Sequence, residues 1–247
     1  MKKKVALVTG SSRGIGKGIA KKLVEHNYLV YINGRNLESL EKTAKEFNDE
    51  VKLVVSDLSD DLNNKQAIEK IFKDEGRLDL VVANIGSGKS IAGWNVDMSE
   101  YKRVFEINFF SAVSLATHAA EVMKESGGHI LFISSIAGCE SLGAPMAYSS
   151  AKTALLSYAK SLSKATASLN IRVNSISPGN VMFDGSTWDE KSKHDREAVK
   201  TYIEKNVPLN GFATPEDIAK AVLYLEESSF TTGTNLVVDG GQLNKII

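Results

Sequence analysis

Val5-Ala6-Leu7-Val8-Thr9-Gly10-Ser11-Ser12-Arg13-Gly14-Ile15-Gly16 sets a short apolar strand directly against a glycine-rich turn. Ile15, Ile19, Ala20 and Leu23 then recur at helical spacing, so strand, turn and helix follow without a break. A turn of this kind lets backbone approach a pyrophosphate, whose charge meets the free N–H groups of the helix start. Gly10 and Gly14 are separated by three residues, which departs from the simple G-x-G-x-x-G spacing. Gly10, Ser12, Arg13, Gly14, Ile15 and Gly16 are the candidate contacts here, whereas Lys17 and Lys21 read as solvated helix positions.

Downstream, strands and helices alternate. Leu29-Val30-Tyr31-Ile32 reads as a second strand ending at Asn33-Gly34-Arg35. In a dinucleotide fold an acid at this strand end would bind both ribose hydroxyls of NAD, and arginine would favour the extra phosphate of NADP. No acid stands there, Gly34 leaves room, and Arg35, with help from Arg13, can reach that phosphate. NADP(H) is therefore the expected cofactor. Leu37–Phe47 is an amphipathic helix, and Val51–Ser56 a third strand that runs into Asp57 and Leu58. Two roles suit Asp57: accepting a hydrogen bond from an adenine amino group, or capping the helix over 62–75. The continuous apolar run Leu78–Ala83 suits a parallel strand covered on both faces. Asn84-Ile85-Gly86-Ser87-Gly88 follows as a second small-residue loop, where Asn84 and Gly86 either border the cofactor or simply make the turn.

Ser99–Met123 reads as one long helix with Asn108 inside its apolar stripe. Asparagine is a poor helix former and costly to bury without partners, so Asn108 marks a kink, a buried hydrogen bond, or a group holding a water or carbonyl connected to Lys152. Gly128–Ser135 is a strand ending in hydroxyls, and Tyr148-Ser-Ser-Ala-Lys152 opens a long helix after a small-residue loop. Residues four apart share a helical face, so phenol and ammonium can point into one space with Ser135 beside them. A free tyrosine titrates at about 10, and a neighbouring cation lowers that value. On this reading Lys152 depresses the Tyr148 pKa, Tyr148 moves a proton, and Ser135 donates a hydrogen bond to a carbonyl or alkoxide oxygen. Ile171–Ser177 is a sixth strand broken by Pro178-Gly179. The polar, irregular stretch 180–195 carries Val181, Met182, Phe183 and Trp188, and a substrate lid is expected over 180–206. Helical patterns occupy 196–206 and 215–226, and Asn235–Gly241 supplies a last strand.

The alternation implies an α/β fold with a single Rossmann-like, doubly wound parallel sheet, helices on both faces, and one domain over residues 1–247. At 247 residues the chain can bury a sizeable core without division. Basic and acidic residues balance at 30 each, which gives no support to a nucleic-acid or anionic-membrane surface. Cys139 is the only cysteine, so no intrachain disulfide forms and a reducing compartment fits. The short strand after Met1-Lys-Lys-Lys is too brief for a signal-peptide core or membrane span, and a cytoplasmic protein is expected. No metal site is expected.

Taken together these residues resemble the short-chain dehydrogenase/reductase family over essentially the full chain. Thr9, Gly10, Gly14 and Gly16 match its Thr-Gly-x-x-x-Gly-x-Gly turn. Asn108, Ser135, Tyr148 and Lys152 match its active-site group, including the thirteen-residue step from serine to tyrosine. Pro178-Gly179 matches its nicotinamide-bordering loop, and Val237-Val238-Asp239-Gly240-Gly241 its late strand. The resemblance implies hydride transfer between NADPH and a ketone or secondary alcohol. Tyr148 is then the general acid/base, Ser135 orients the oxygen, Lys152 holds the cofactor ribose, and Asn108 supports a relay water. It also implies a homo-oligomer, commonly a tetramer. Two departures stand out: Ile85 replaces the usual alanine between Asn84 and Gly86, and Phe183 stands where a threonine usually grips the nicotinamide amide, a task left to the backbone of Val181. The broad resemblance is to 3-oxoacyl carrier-protein reductases, but the positions matching their basic carrier-docking residues are Ser126 and Leu169, with Lys124 and Lys164 nearby. Their neutrality disfavours an acyl carrier protein and leaves a small-molecule carbonyl or alcohol as the expected substrate. A catalytically silent NADP-binding regulatory protein is the alternative of a different class.

Overall fold

The computed structural model describes residues 2–48 and 50–244; Met1, Asp49 and residues 245–247 of the expected domain lie outside the described residues. Seven strands form one parallel sheet: β1 (Lys4–Val8), β2 (Tyr28–Gly34), β3 (Val51–Val55), β4 (Leu80–Ala83), β5 (Gly128–Ile133), β6 (Ile171–Pro178) and β7 (Asn235–Val238). Their order across the sheet is β3-β2-β1-β4-β5-β6-β7. Between them run α1 (Gly14–Glu25), α2 (Leu37–Lys45), α3 (Asp61–Glu75), α4 (Met98–Phe105), α5 (Ser111–Met123), α6 (Met146–Thr166), α7 (Thr187–His194), α8 (Arg196–Asn206) and α9 (Pro215–Glu227).

Successive strand residues point to opposite faces, and in β1 both faces are covered. Ala6 and Val8 pack with Ile19 and Leu23 of α1, Leu40 of α2 and Ile218 and Val222 of α9. Val5 and Leu7 join Ile68 and Ile71 of α3, Leu115 and Ala119 of α5 and Leu155 of α6 on the other side. The apolar run is continuous because neither face meets water. Each fully buried Leu, Ile or Val contributes about 1.5–3 kcal/mol relative to exposure.

The chain leaves the β3 edge after α3 and returns to the middle of the sheet, pairing Val82 of β4 with Val8 of β1. The carboxyl ends of β1 and β4 therefore part at a topological switch point, where open α/β sheets hold ligands.

Two expected elements are corrected. Ser99–Met123 is two helices joined by a π-helical segment, Glu106–Phe110, with Asn108 in its middle. Fully buried Asn108 donates to the Val104 and Ser87 carbonyls and accepts from Ser87 N–H at 3.0 Å, so the wider turn aims its amide toward the 84–88 loop. The stretch 180–195 is also not irregular throughout, because Thr187–His194 is helical. Ser186 caps it by accepting from Asp189 N–H, with Asp189 and Glu190 in the first turn and Lys191, Lys193 and His194 in the last, as the helix dipole favours. Its low apolar content hides it from a hydrophobic-period search.

Candidate active site

The glycine turn is pinned from both neighbouring strands. Asn33, at the end of β2, accepts from Gly10 N–H through Oδ1, while its own N–H donates to Ser11 Oγ at 2.8 Å. Across the switch point, Asn84 donates to the carbonyls of Thr9 and Gly10 at 3.0 and 3.2 Å, and Asn84 N–H donates to Thr9 Oγ1. Gly16 is obligatory in this packing, since a Cβ there would lie 2.5 Å from Gly10 O and 2.6 Å from Asn84 Nδ2. Gly10 and Gly14 adopt positive φ, +60° and +57°, which glycine tolerates without strain.

Above this turn lies a cleft of about 350 Å³ lined by Gly10, Ser12, Arg13, Gly14 and Ile15, by Asn33, Gly34 and Arg35, and by Ser56–Ser59 and Asn84–Gly86. Nearly all the sequence-predicted cofactor positions of the amino-terminal half thus face one space. Arg35 is exposed and reaches Asp57 at 3.6 Å. Hydrogen bonds from Ser59, followed by the Arg35 charge, hold the Asp57 carboxyl below its usual range despite partial burial. Asp57 does not cap α3; Asp60 does, accepting from Asn63 N–H. The cleft has room beside glycine backbone for a pyrophosphate, and Arg13 and Arg35 on a wall that also includes Gly34, which has no side chain to intrude, suit a ribose phosphate. A dinucleotide fits this donor set.

A second cavity, about 480 Å³, contains the chemistry-bearing hydroxyls. Ser135 and Tyr148 line it, together with Leu142, Pro178, Gly179, Val181, Trp188, Lys191 and Tyr202. Ile15 and Phe183 line both cavities, which therefore adjoin at these two side chains. The Phe183 ring leans on Gly14, where a Cβ would come within 2.6 Å of it. A dinucleotide reaching from one cavity to the other must pass this ring.

The β5 end and the first turns of α6 are locked together, which sets Ser135 beside Tyr148. Ser134 Oγ donates to Lys152 O at 3.2 Å, Thr153 Oγ1 donates to Gly138 O at 2.9 Å, and a Cβ on Gly138 would sit 2.7 Å from the Lys152 carbonyl carbon. Ser135 Oγ accepts from Ala137 N–H, keeping its own hydrogen for another oxygen. Lys152 is buried and its ammonium donates to Ile133 O at 2.9 Å, lying 5.9 Å from the Tyr148 ring centroid.

The expected direction of the tyrosine shift is reversed. Burial holds the Tyr148 phenol above its ordinary value, with a hydrogen bond from Ser135 pulling only partly back. Lys152 is itself lowered to about 8 by burial. The reason is that the ammonium turns to the Ile133 carbonyl instead of the phenol, so desolvation outweighs charge stabilisation. Asn108 and Lys152 flank Gly86: a Cβ there would be 2.9 Å from Asn108 Oδ1 and 3.2 Å from Lys152 Nζ. Asn108 thus stands near the ammonium but spends its amide on Ser87 and Val104.

On the far side, Gly179 N–H donates to Val238 O, and Val181 bridges Ala213, which anchors the loop after β6. Asn33, Leu142, Lys191 and Tyr202 belong to these two cavities and are not singled out by the sequence reading. A polar residue ending an apolar strand is a signal that could find Asn33; Lys191 and Tyr202 lie on polar helices whose facing only packing decides. Among the described residues no group of His, Cys, Asp and Glu could hold a metal ion, and no helix is long and apolar enough to cross a membrane.

With this geometry in view, residues 10–242 match the family described as Enoyl-(Acyl carrier protein) reductase. The chain is 35% identical over 245 residues to a 3-oxoacyl-[acyl-carrier-protein] reductase of Chlamydia muridarum, covering 96% of each. It is 33% identical over 243 residues to carbonyl reductase family member 4 of Xenopus laevis, covering 96% of this chain and 97% of the relative. Among solved structures, the L-sorbose reductase of Gluconobacter frateurii, complexed with NADPH and L-sorbose, superposes with a TM-score of 0.92 at 26% identity over 99% of this chain and 98% of that one. A parallel seven-stranded sheet with a pinned glycine turn at its switch point, matched along its length by these proteins, is that of the short-chain dehydrogenase/reductase family, and this oxidoreductase belongs to it.

Proposed function

We propose that this chain is an NADP(H)-dependent carbonyl reductase and secondary-alcohol dehydrogenase acting on a small molecule, built as one catalytic domain over residues 1–247. The observation that carries it is that Ile15 and Phe183 line both the glycine-lined cleft and the cavity holding Ser135 and Tyr148, which sets the two side by side. Gly10, Ser12, Gly14, Ile15 and Gly16 would hold the pyrophosphate, Arg13 and Arg35 the ribose phosphate, and Asp57 and Leu58 the adenine. Asn84 and Gly86 would border the nicotinamide riboside, with Pro178, Gly179 and Val181 facing the ring. When bound, the nicotinamide supplies the hydride for the carbonyl carbon. The sorbose reductase that shares this fold is complexed with NADPH, which supports the same choice here.

The chain's own residues then handle the oxygen. Ser135 donates to the carbonyl oxygen and fixes its position, and Tyr148 delivers the proton to it or removes it in the reverse direction. A phenol kept protonated by burial is ready to act as the acid of reduction. Lys152, held by Ile133 O, would bind the ribose and stabilise the phenolate left behind, and Asn108 would orient the 84–88 backbone and a relay water behind it. Residues 180–206, with α7 and α8, would form the substrate lid. Ser126 and Leu169 are surface residues without charge, which supports a free small molecule over a carrier-bound one. A cytoplasmic homotetramer completes the reading, and the half-exposed Phe110 beside Phe105 and Phe109 offers apolar surface for self-association.

Purified protein should oxidise NADPH in the presence of a ketone panel, with kcat/KM for NADPH about tenfold or more above NADH, the worth of a charge-assisted contact. Arg35→Leu should reduce that ratio toward one by raising the KM for NADPH. Equal use of both cofactors by the unaltered protein would sink the NADP assignment. NADPH binding with no oxidation across the panel would favour a silent regulatory protein.

A further inference from the structure

We propose that the substrate is an oxo acid, whose carbonyl meets Ser135 and Tyr148 while its carboxylate is held by Lys191. The inference rests on the carbonyl-reductase reading and names the substrate class for that site.

Every other described side chain on the wall of the 480 Å³ cavity is uncharged, and Lys191 is its one ionised group. The carboxylates near it on the chain are already engaged. Lys193 pairs with Asp189 at 2.7 Å and Asp184 at 3.3 Å, Asp189 also accepts from Gly185 N–H, and Glu190 lies 3.8 Å from Lys89. Lys191 makes no ion pair among the described residues; its ammonium sits 4.4 Å from the centroid of the Trp188 ring, three residues earlier on the same helical face.

That ring is not free to swing away. Trp188 packs on Tyr202 and Phe212 with centroids 4.5 and 4.7 Å distant, and Tyr202 OH accepts from Asn180 Nδ2 at 3.1 Å. Lys191 itself is exposed, and its cation rests over this fixed ring on a cavity wall that is otherwise neutral. An ammonium with no carboxylate partner remains available to an anion, and beside a low-dielectric protein wall an opposite charge is attracted more strongly than in bulk water. A neutral ketone would gain nothing from that charge. One cation matches one carboxylate better than a phosphate dianion, for which clustered donors are the rule. Leu142 and the Trp188 face provide apolar walls for the carbon body that joins the two polar ends.

The test compares straight-chain and aryl oxo acids with their methyl esters, followed as NADPH oxidation, in the unaltered protein and in Lys191→Met and Lys191→Arg. The expected result is a kcat/KM at least about tenfold higher for acids than for matched esters, the size of a charge-assisted hydrogen bond. Lys191→Met should bring the ratio to near one, chiefly through KM, and Lys191→Arg should preserve it. A second readout needs no turnover: titration with unreactive aliphatic carboxylates should quench tryptophan fluorescence saturably, and Lys191→Met or Trp188→Phe should abolish the signal. Esters reduced as well as acids would overturn the oxo-acid inference and leave the reductase standing. Carrier- or coenzyme-bound oxoacyl thioesters preferred over free acids would overturn it in favour of a tethered substrate. Failure to reduce any acid or ester, with no carboxylate quenching, would overturn this inference, and the small-molecule reductase reading falls with it only where the neutral ketone panel is also left unreduced.

Discussion

Tyr148→Phe is expected to lower kcat for carbonyl reduction by about 10²–10⁴, the usual worth of a positioned general acid, while NADPH binding stays within a few-fold. The substitution removes one oxygen from a half-buried ring that packs on Val104, Ala147 and Ala151, so the fold keeps its apolar contacts. It removes the only phenol in the cavity that hydrogen-bonds with Ser135. Stopped-flow measurement of a single turnover separates the chemical step from cofactor binding, which fluorescence of NADPH reports independently. Turnover within tenfold of the unaltered protein would remove Tyr148 from the proton path. The pH dependence follows from the same geometry. The phenol is pushed up by burial, so it remains an acid through neutrality, whereas Lys152, lowered to about 8, loses its charge above that pH. The phenolate that proton delivery leaves behind therefore loses its nearest cation on the alkaline side. Reduction should accordingly decline as pH rises through about 8, and Lys152→Met should flatten that limb as well as slowing the reaction.

Glu226→Ala should destabilise the fold by about 3–5 kcal/mol, the cost of leaving buried partners of a charge unpaired. For a chain of this length that corresponds to a fall in Tm of about 10 °C. The carboxylate lies at the amino ends of the central strands, away from the two cavities, and is almost completely buried. It accepts from Tyr28 OH at 2.7 Å, Lys4 Nζ at 3.0 Å and His129 Nδ1 at 2.9 Å, and Arg172 lies at 3.4 Å. Asn174 ties the histidine in from the other side: its Oδ1 accepts from Thr234 N–H and its Nδ2 donates to Thr231 O and lies 3.0 Å from His129 Nε2, while His129 Nδ1 lies 2.9 Å from both Glu226 Oε2 and Arg172 Nη2.

Burial lowers the His129 pKa, with Arg172 and Lys4 adding to it against Glu226, while the hydrogen bonds from His129 and Tyr28 hold Glu226 down at about 2 against its burial. Both groups bind fewer protons folded than unfolded, so stability is lost as pH falls. The histidine part goes as pH drops below its ordinary 6.5, and the glutamate part between 4.5 and about 2. Chemical denaturation from neutrality down to the carboxylate range should show this slope in the unaltered protein and a flatter acid limb in Glu226→Ala, with Glu226→Gln losing less. A loss under about 1 kcal/mol in the alanine variant, the scale of an exposed ion pair, would mean that the cluster is solvated and structurally idle.

The strands, the glycine turn and the spacing of Ser135, Tyr148 and Lys152 were legible because each rests on local rules. Apolar runs of strand length, glycine before a helix and residues four apart on one helix need no knowledge of distant partners. The same locality explains the failures. The Ser99–Met123 periodicity carries through the π-helical segment because one wider turn shifts an apolar stripe only slightly, although it redirects Asn108. The polar helix over Thr187–His194 owes its start to the Ser186 cap and its charged turns, which hydrophobic spacing does not register.

By itself the sequence determined the fold class, the place of the dinucleotide cleft and the shared helical face of Tyr148 and Lys152, since adjacent residues and helical repeats specify these. Only the tertiary structure decided how those groups are charged and what faces them. The Tyr148 phenol is raised instead of lowered because the Lys152 ammonium, nineteen positions beyond Ile133, turns to that carbonyl. Lys191 lines the same cavity as Ser135 and Tyr148, and Glu226 meets His129 across 97 positions. Direction and desolvation depend on which segments pack together, as the Phe183 ring packed against Gly14 at the start of α1 also shows.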